Sequence, residues 1–236
     1  MDIVNISDIL DLSDYSDFSE ITELDLYNKK LSKLPDLSLF TNLQSLDCSY
    51  NQITKLDNLP ATLISLDCSS NNISSLDYLP NSLKDLDCSG NYITSLDNLP
   101  NSLIELKCNN NNIQNLNNLP INITLLNCYG NEITRLDNLP KGVRQIDCAE
   151  NQINSLDNLP DGLIILDCRK NKLTRLDKLP SSLKELLCSY NQLESLDNLP
   201  RNLKTLICHH NNLNCININN LPNNIKLLKF YFPSDD

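Results

Sequence analysis

The chain has 236 residues, 30 acidic against 19 basic side chains, and a net charge of −11. That balance argues against wrapping a nucleic-acid backbone, where basic groups must displace counterions, and against an anionic membrane surface, while it permits a basic protein partner. No stretch reaches the roughly 18–20 apolar residues of a membrane span, and ten cysteines without an export leader point to free thiols in a reducing compartment, the cytoplasm of the producing or of a host cell.

Residues 1–20, MDIVNISDILDLSDYSDFSE, have neither a basic start nor a long apolar run, so no leader is expected. Ile6, Ile9 and Leu10 behind Ser7 have helical spacing and predict a short N-terminal helical cap. From residue 21 to about 230 the chain repeats. The first unit, ITELDLYNKKLSKLPDLSLFTN, carries Leu26 where later units have cysteine and Lys29 where they have asparagine. From Leu43 the unit is L-x-x-L-x-C-x-x-N-x-I-x-x-L-D-x-L-P-x-x, with a period of 20 residues. Positions 4 and 6 alternate as in a strand with one buried face. Proline at position 18 (Pro60, Pro80, Pro100 and onward to Pro200) removes a donor and disfavours helix before it, so the return path should be extended or a 3-10 turn. Strand cores are expected at Leu24–Leu26, at Leu46–Cys48, then every 20 residues to Leu206–Cys208, and last at Leu228–Phe230. The segment LNCININNLP after Asn211 has two extra residues, and 231–236 form a short C-terminal tail.

The stretch LQSLDCSYNQI, Leu43 to Ile53, resembles the leucine-rich-repeat signature L-x-x-L-x-L-x-x-N-x-L, with Cys48 at the third apolar site. The short repeat and its Leu-Pro pair are similar to the repeats of bacterial secreted effectors. The cysteine column and the asparagine-rich composition look more like the leucine-rich-repeat proteins of amoeba-infecting giant viruses, the marseillevirus type. The resemblance implies a leucine-rich-repeat solenoid: a curved right-handed coil with an eleven-stranded parallel β-sheet on its concave face and an extended or 3-10 convex side. Strands ~4.8 Å apart would make that face about 50 Å long. Residues 1–20 would be the cap, 21–230 the solenoid and 231–236 the tail.

Three columns read as architecture. Cys48, Cys68, Cys88, Cys108, Cys128, Cys148, Cys168, Cys188 and Cys208 point inward as small apolar groups. Parallel neighbours with Cβ atoms about 4.8 Å apart suit neither a disulfide nor convergence on zinc, so no metal and no cofactor are expected. Asn51, Asn71, Asn91, Asn111, Asn131, Asn151, Asn171, Asn191 and Asn211 can bond backbone groups that the turn leaves unpaired. Asp57, Asp77, Asp97, Asp137, Asp157, Asp177 and Asp197, before x-Leu-Pro, are expected to accept amides two residues on in Asx-turns.

Function, if visible, lies at position 5, which points outward: Asp47, Asp67, Asp87, Lys107, Asn127, Asp147, Asp167, Leu187, Ile207. Like charges directly opposite one another are unfavourable. Either a basic partner or a cation uses them, or a stable sheet tolerates the repulsion; the calcium version lacks an EF-hand loop. Asp85 and Glu105 at position 3 reinforce the acidic half. Leu187, Ile207 and Ile165, bordered by Tyr190 and His209, form an apolar patch that reads as a partner-binding surface. His209, His210 and Cys215 carry a nucleophile-pair alternative, but no orienting carboxylate has a forced place beside them. No catalytic residue is assigned. The expected function is a non-enzymatic protein-interaction module that binds on the concave face, with a host factor as partner if the viral resemblance holds. The alternative is a structural virion or assembly component that stacks through its solenoid ends.

Overall fold

The computed structural model describes residues 18–213 and 220–230. Of the expected cap, Phe18–Glu20 falls among them as one 3-10 turn, with the Phe18 ring 5.5 Å from that of Phe40. Residues 1–17, Cys215 and the 231–236 tail lie outside the described residues.

All eleven expected strands are present, parallel and in strictly sequential order: β1 (Glu23–Asp25), β2 (Ser45–Asp47), β3 (Ser65–Asp67), β4 (Asp85–Asp87), β5 (Glu105–Lys107), β6 (Leu125–Asn127), β7 (Gln145–Asp147), β8 (Ile165–Asp167), β9 (Glu185–Leu187), β10 (Thr205–Ile207) and β11 (Leu227–Lys229). Each sits one residue earlier than expected. Positions 3 to 5 are strand, and the cysteine at position 6 follows it. The regular strand ends there because the position-5 side chain takes the amide of position 7, and position 8 then turns to positive φ, as at Tyr50 (55°), Glu150 (52°), Lys170 (53°) and Tyr190 (57°). A left-handed residue is unfavourable for L-amino acids. Here it aims the position-8 amide at the next repeat, as in Tyr50 N donating to Ser69 O at 3.0 Å and Lys170 N to Ser189 O at 2.9 Å.

The chain divides into two compact units, Met1–Asn112 and Ile113–Asp236. In the first, β1 to β5 pair in register with position 4 against position 4, as Leu24 with Leu46 and Leu46 with Leu66. In the second, β6 to β11 do the same. Positions 1, 4, 6, 11 and 14 make the core, and Leu43, Leu46, Cys48, Ile53 and Leu56 are all buried. Each Leu or Ile so buried contributes roughly 1.5–3 kcal/mol, and each depends on the flanking repeat for cover.

The asparagine column closes that core as expected. Asn71 donates through Nδ2 to Cys48 O at 3.0 Å and to Cys68 O at 3.1 Å, and its Oδ1 accepts Ile53 N at 2.9 Å. Asn91, Asn171, Asn191 and Asn211 repeat the pattern. The nine column cysteines are buried free thiols. Several donate to the next repeat, as Cys68 Sγ to Asp87 O at 3.4 Å and Cys148 Sγ to Asp167 O at 3.2 Å. Burial drives thiol pKa values upward, to about 11 at Cys208 and further at Cys68 and Cys148, so these sulfurs stay protonated.

The return-path aspartates correct an expectation. In the repeats where the cap is seen, the position-13 residue supplies it: Ser75 Oγ accepts Asp77 N at 3.3 Å, Ser95 Oγ accepts Asp97 N at 3.2 Å, and Asn115 Oδ1 accepts Asn117 N at 3.2 Å. The carboxylates face outward and tie repeats together, as Asn98 Nδ2 donating to Asp77 at 2.7 Å and Asn158 Nδ2 to Asp137 at 2.6 Å. A second ladder runs at position 20, where Thr62, Ser82 and Ser102 donate to Leu43 O, Leu63 O and Leu83 O at 2.6–2.7 Å.

Candidate functional site

Positions 3 and 5 line the solvent face of the sheet. In the first unit that face is acidic. Asp47, Asp67 and Asp87 stand in register on successive strands, and Asp85 pairs with Glu105. The register of β1 adds Glu23 and Asp25, which the position-5 column, begun at Asp47, leaves out although Leu24–Leu26 is an expected strand core; Asp25 pairs with Asp47. Among the described residues one cation answers them, with Lys107 Nζ 3.6 Å from Asp87.

These aspartates also have an architectural role that the sequence reading did not assign. Asp47 Oδ1 accepts both Ser49 N at 2.9 Å and Ser49 Oγ at 2.6 Å, and Asp67 and Asp87 accept the amides of Ser69 and Ser89 at 2.9 and 3.0 Å. Asn127, Asp147 and Asp167 do the same for Tyr129, Ala149 and Arg169 at 3.1 Å. The Asx-turns therefore lie at the strand exits. Partial burial raises the Asp67 pKa most, with the Asp87 and Asp47 charges adding to it against the Ser69 hydrogen bonds. Asp147 is raised likewise, by burial and then by Asp167.

In the second unit the same column keeps Asp147 and Asp167 and loses its carboxylates only at β9 and β10. Leu187 pairs with Ile207 across β9 and β10, and both are half-buried on the solvent face. Asp167 is Leu187's other neighbour, and Ile165 lies at position 3 of that strand, opposite Glu185. Asp167 is covered by Arg169, whose Nε donates to both carboxylate oxygens at 2.9 and 3.0 Å and whose Nη2 lies 2.5 Å from Oδ2. A leucine cannot accept from position 7. Ser189 Oγ, whose counterpart Ser49 donates to Asp47, is buried with no hydrogen-bond partner among the described residues.

Beside this patch, at the strand exits, lies a cavity of about 250 Å³. Ala149 is small and leaves the space; Tyr129, Tyr190 and His209 supply rings; Glu150, Arg169 and Lys170 supply charge. Tyr190 stands edge-on to His209 at 5.3 Å and stacks on His210 at 4.3 Å, which joins two residues of the expected patch to a histidine pair. Lys170 is ion-paired with Glu150, and the Tyr129 hydroxyl also bonds that carboxylate. Sequence reasoning placed Tyr190 and His209 at the border of a patch and missed the charged residues. The signal was available: position 7 runs Ser, Ser, Ser, Asn from Ser49 to Asn109, then Tyr129, Ala149 and Arg169.

No protein-family model and no curated protein matches the chain. Solved structures do. The functional domain of InlJ from Listeria monocytogenes, described as including a cysteine ladder, is 32% identical with a TM-score of 0.75 over 90% of this chain and 54% of that one. YopM from Yersinia enterocolitica is 32% identical with a TM-score of 0.69 over 85% of this chain and 48% of that one. YopM from Yersinia pestis, a leucine-rich effector protein, is 29% identical with a TM-score of 0.76 over 90% and 66%. The fold is a leucine-rich-repeat solenoid. The chain spans about half to two thirds of the length of these matched chains. The cysteine column and the short effector-type repeat thus have counterparts in solved bacterial structures.

Proposed function

We propose that this solenoid is a non-enzymatic protein-interaction module whose partner binds on the open face of its sheet, anchored in the second unit by Leu187 and Ile207. One observation carries the reading. At two successive strands the carboxylate that caps the turn is replaced by an apolar group, which leaves the buried Ser189 hydroxyl without a partner among the described residues and turns two aliphatic side chains toward solvent. A local loss of satisfaction that brings no gain to the core is the kind of conflict expected at a functional surface. Bulky apolar groups on a solvated strand face also suit an interface centre. The acidic face of the first unit adds steering of a basic region of the partner, which raises association rate more than affinity. A cytoplasmic site belongs to the same proposal and rests on nine buried free thiols, and a host origin for the partner rests on the resemblance to giant-virus repeat proteins.

The test is the double variant Leu187→Asp with Ile207→Asp. It restores the residue that sister repeats carry, so the fold should be kept. Proximity labelling in the producing cell with the wild type and the variant should yield a protein that the variant loses, and the purified pair should bind about 30-fold more weakly, the equivalent of ~2 kcal/mol for an interface hot spot. Unchanged affinity in a folded variant would refute the anchor.

A further inference from the structure

We infer that the cavity at the strand exits of the second unit is an anion-recognition pocket that receives an acidic side chain from the partner, presented two or three residues from an apolar side chain seated on Leu187 and Ile207. The inference rests on the proposed binding face and adds the chemistry of what is bound there.

The cavity is the size of one side chain, and its charged lining is two cations against one carboxylate in a protein of net charge −11. Arg169 uses Nε and Nη2 on Asp167, and Nη1 makes no hydrogen bond among the described residues. A guanidinium has five donors in a planar fork, so one edge remains for a second carboxylate. Lys170 is tied to Glu150, but that pair is exposed, with the two side chains 56% and 36% accessible. Exposed pairs are worth only about 0–1 kcal/mol, so an incoming carboxylate can take over the ammonium at little expense. Ala149 and the Tyr190 ring give the methylene stem of the guest an apolar bed. The local field agrees: His209 is held below the usual histidine range, first by burial and then by His210, Arg169 and Lys229.

The spacing follows from the chain. Arg169 lies two residues after Asp167, which is in register with Leu187, and Tyr190 lies three residues after Leu187. Three residues reach at most ~10 Å, so the pocket and the apolar patch can be spanned by one short extended segment. A guest with a basic side chain would instead meet Arg169 and Lys170 head-on.

The test is an amide-resolved NMR titration of the full chain with a capped pentapeptide, Ala-Leu-Ala-Glu-Ala, and with versions carrying Gln or Lys in place of Glu. The glutamate peptide should shift Glu150, Lys170 and Tyr190 saturably in the millimolar range, and the Gln and Lys peptides should bind about 10-fold more weakly or worse, the loss expected for one charge-assisted hydrogen bond. Lys170→Gln, at an exposed side chain, should weaken the glutamate peptide to a similar degree, and Lys170→Arg should retain it. Equal binding of the Gln or Lys peptide, indifference to Lys170→Gln, or no saturable shift with the glutamate peptide would overturn the anion pocket. A partner that is lost by Leu187→Asp with Ile207→Asp but ignores Lys170→Gln would also overturn it, while leaving the binding face in place.

Discussion

The two units are built from one repeat, yet at β9 and β10 of the second the sheet face departs from the position-5 pattern that the first unit keeps at β2 to β4. In the first, Asp47, Asp67 and Asp87 each bond the amide two residues on, and the turn is satisfied at the expense of stacked like charges. In the second, Asp147 and Asp167 still do so, but Leu187 and Ile207 end the column of like charges and give up the cap. An aspartate column is therefore weaker evidence of binding than it looks, because the turn alone accounts for it. The departures from the column are stronger evidence, because the turn gains nothing from them.

The comparison is anchored by what should not differ between the units. Asn71→Ala in the first and Asn171→Ala in the second should each cost about 1–3 kcal/mol in chemical denaturation, because each strands buried backbone groups. The exposed Gln52→Ala should stay within ~0.5 kcal/mol. A large gap between the two asparagines would mean that the ladder holds one unit more than the other.

A reciprocal swap probes the difference itself. Asp47→Leu should destabilise by about 1 kcal/mol through the lost cap of Ser49. Leu187→Asp should instead hold or raise stability, because the new carboxylate reaches the Ser189 amide and hydroxyl. If both swaps destabilise equally in thermal melts, the missing cap at Ser189 has no energetic meaning and the anchor loses its support.

A smaller effect is expected at position 20. Thr62, Ser82 and Ser102 in the first unit and Ser182 in the second donate to the preceding repeat, whereas Gly142 has no hydroxyl and its ideal Cβ would lie 3.3 Å from Ile123 O. Gly142→Ser should add that bond and stabilise by about 0.5–1 kcal/mol. A loss of stability would show that the close approach to Ile123 O cannot relax.

The smallest expected effect is one of pH. Burial and like charges raise the Asp67 pKa above its ordinary 3.8. The folded state then holds this proton more tightly than the unfolded state, so its contribution is fully present below about pH 4 and is lost as pH rises through the folded value. Asp67→Asn can keep the cap, as Asn127 does for Tyr129, and should flatten that part of the stability profile above pH 4. An unchanged profile would mean that the Asp47–Asp67–Asp87 repulsion is already relieved by solvent.

How much could be read in advance depended on whether a residue's task was periodic. The 20-residue period placed the strands to within one residue, and it placed Cys48 and Asn51 with their counterparts inward, because a parallel stack forces equivalent residues into equivalent surroundings. The pairing of Leu187 with Ile207 followed from the same count. Asp57 and its counterparts were misread because an aspartate before x-Leu-Pro has the chemistry of an Asx-turn, whereas the backbone there presents its amide to position 13. Glu23 and Asp25 escaped because the position-5 column is counted from the first full repeat at Leu43, although a strand around Leu24 is expected.

The sequence alone determined the repeat, its phase, the buried columns and the outward face, since all four follow from alternation and a fixed period. Only the tertiary structure decided which carboxylates cap turns, that the Ser189 hydroxyl has no partner among the described residues, and that Ala149, Arg169, Lys170 and Tyr190 line a cavity. These residues belong to three successive repeats and meet because position 8 turns to positive φ after each strand, a backbone choice made by Glu150, Lys170 and Tyr190 with no glycine to announce it.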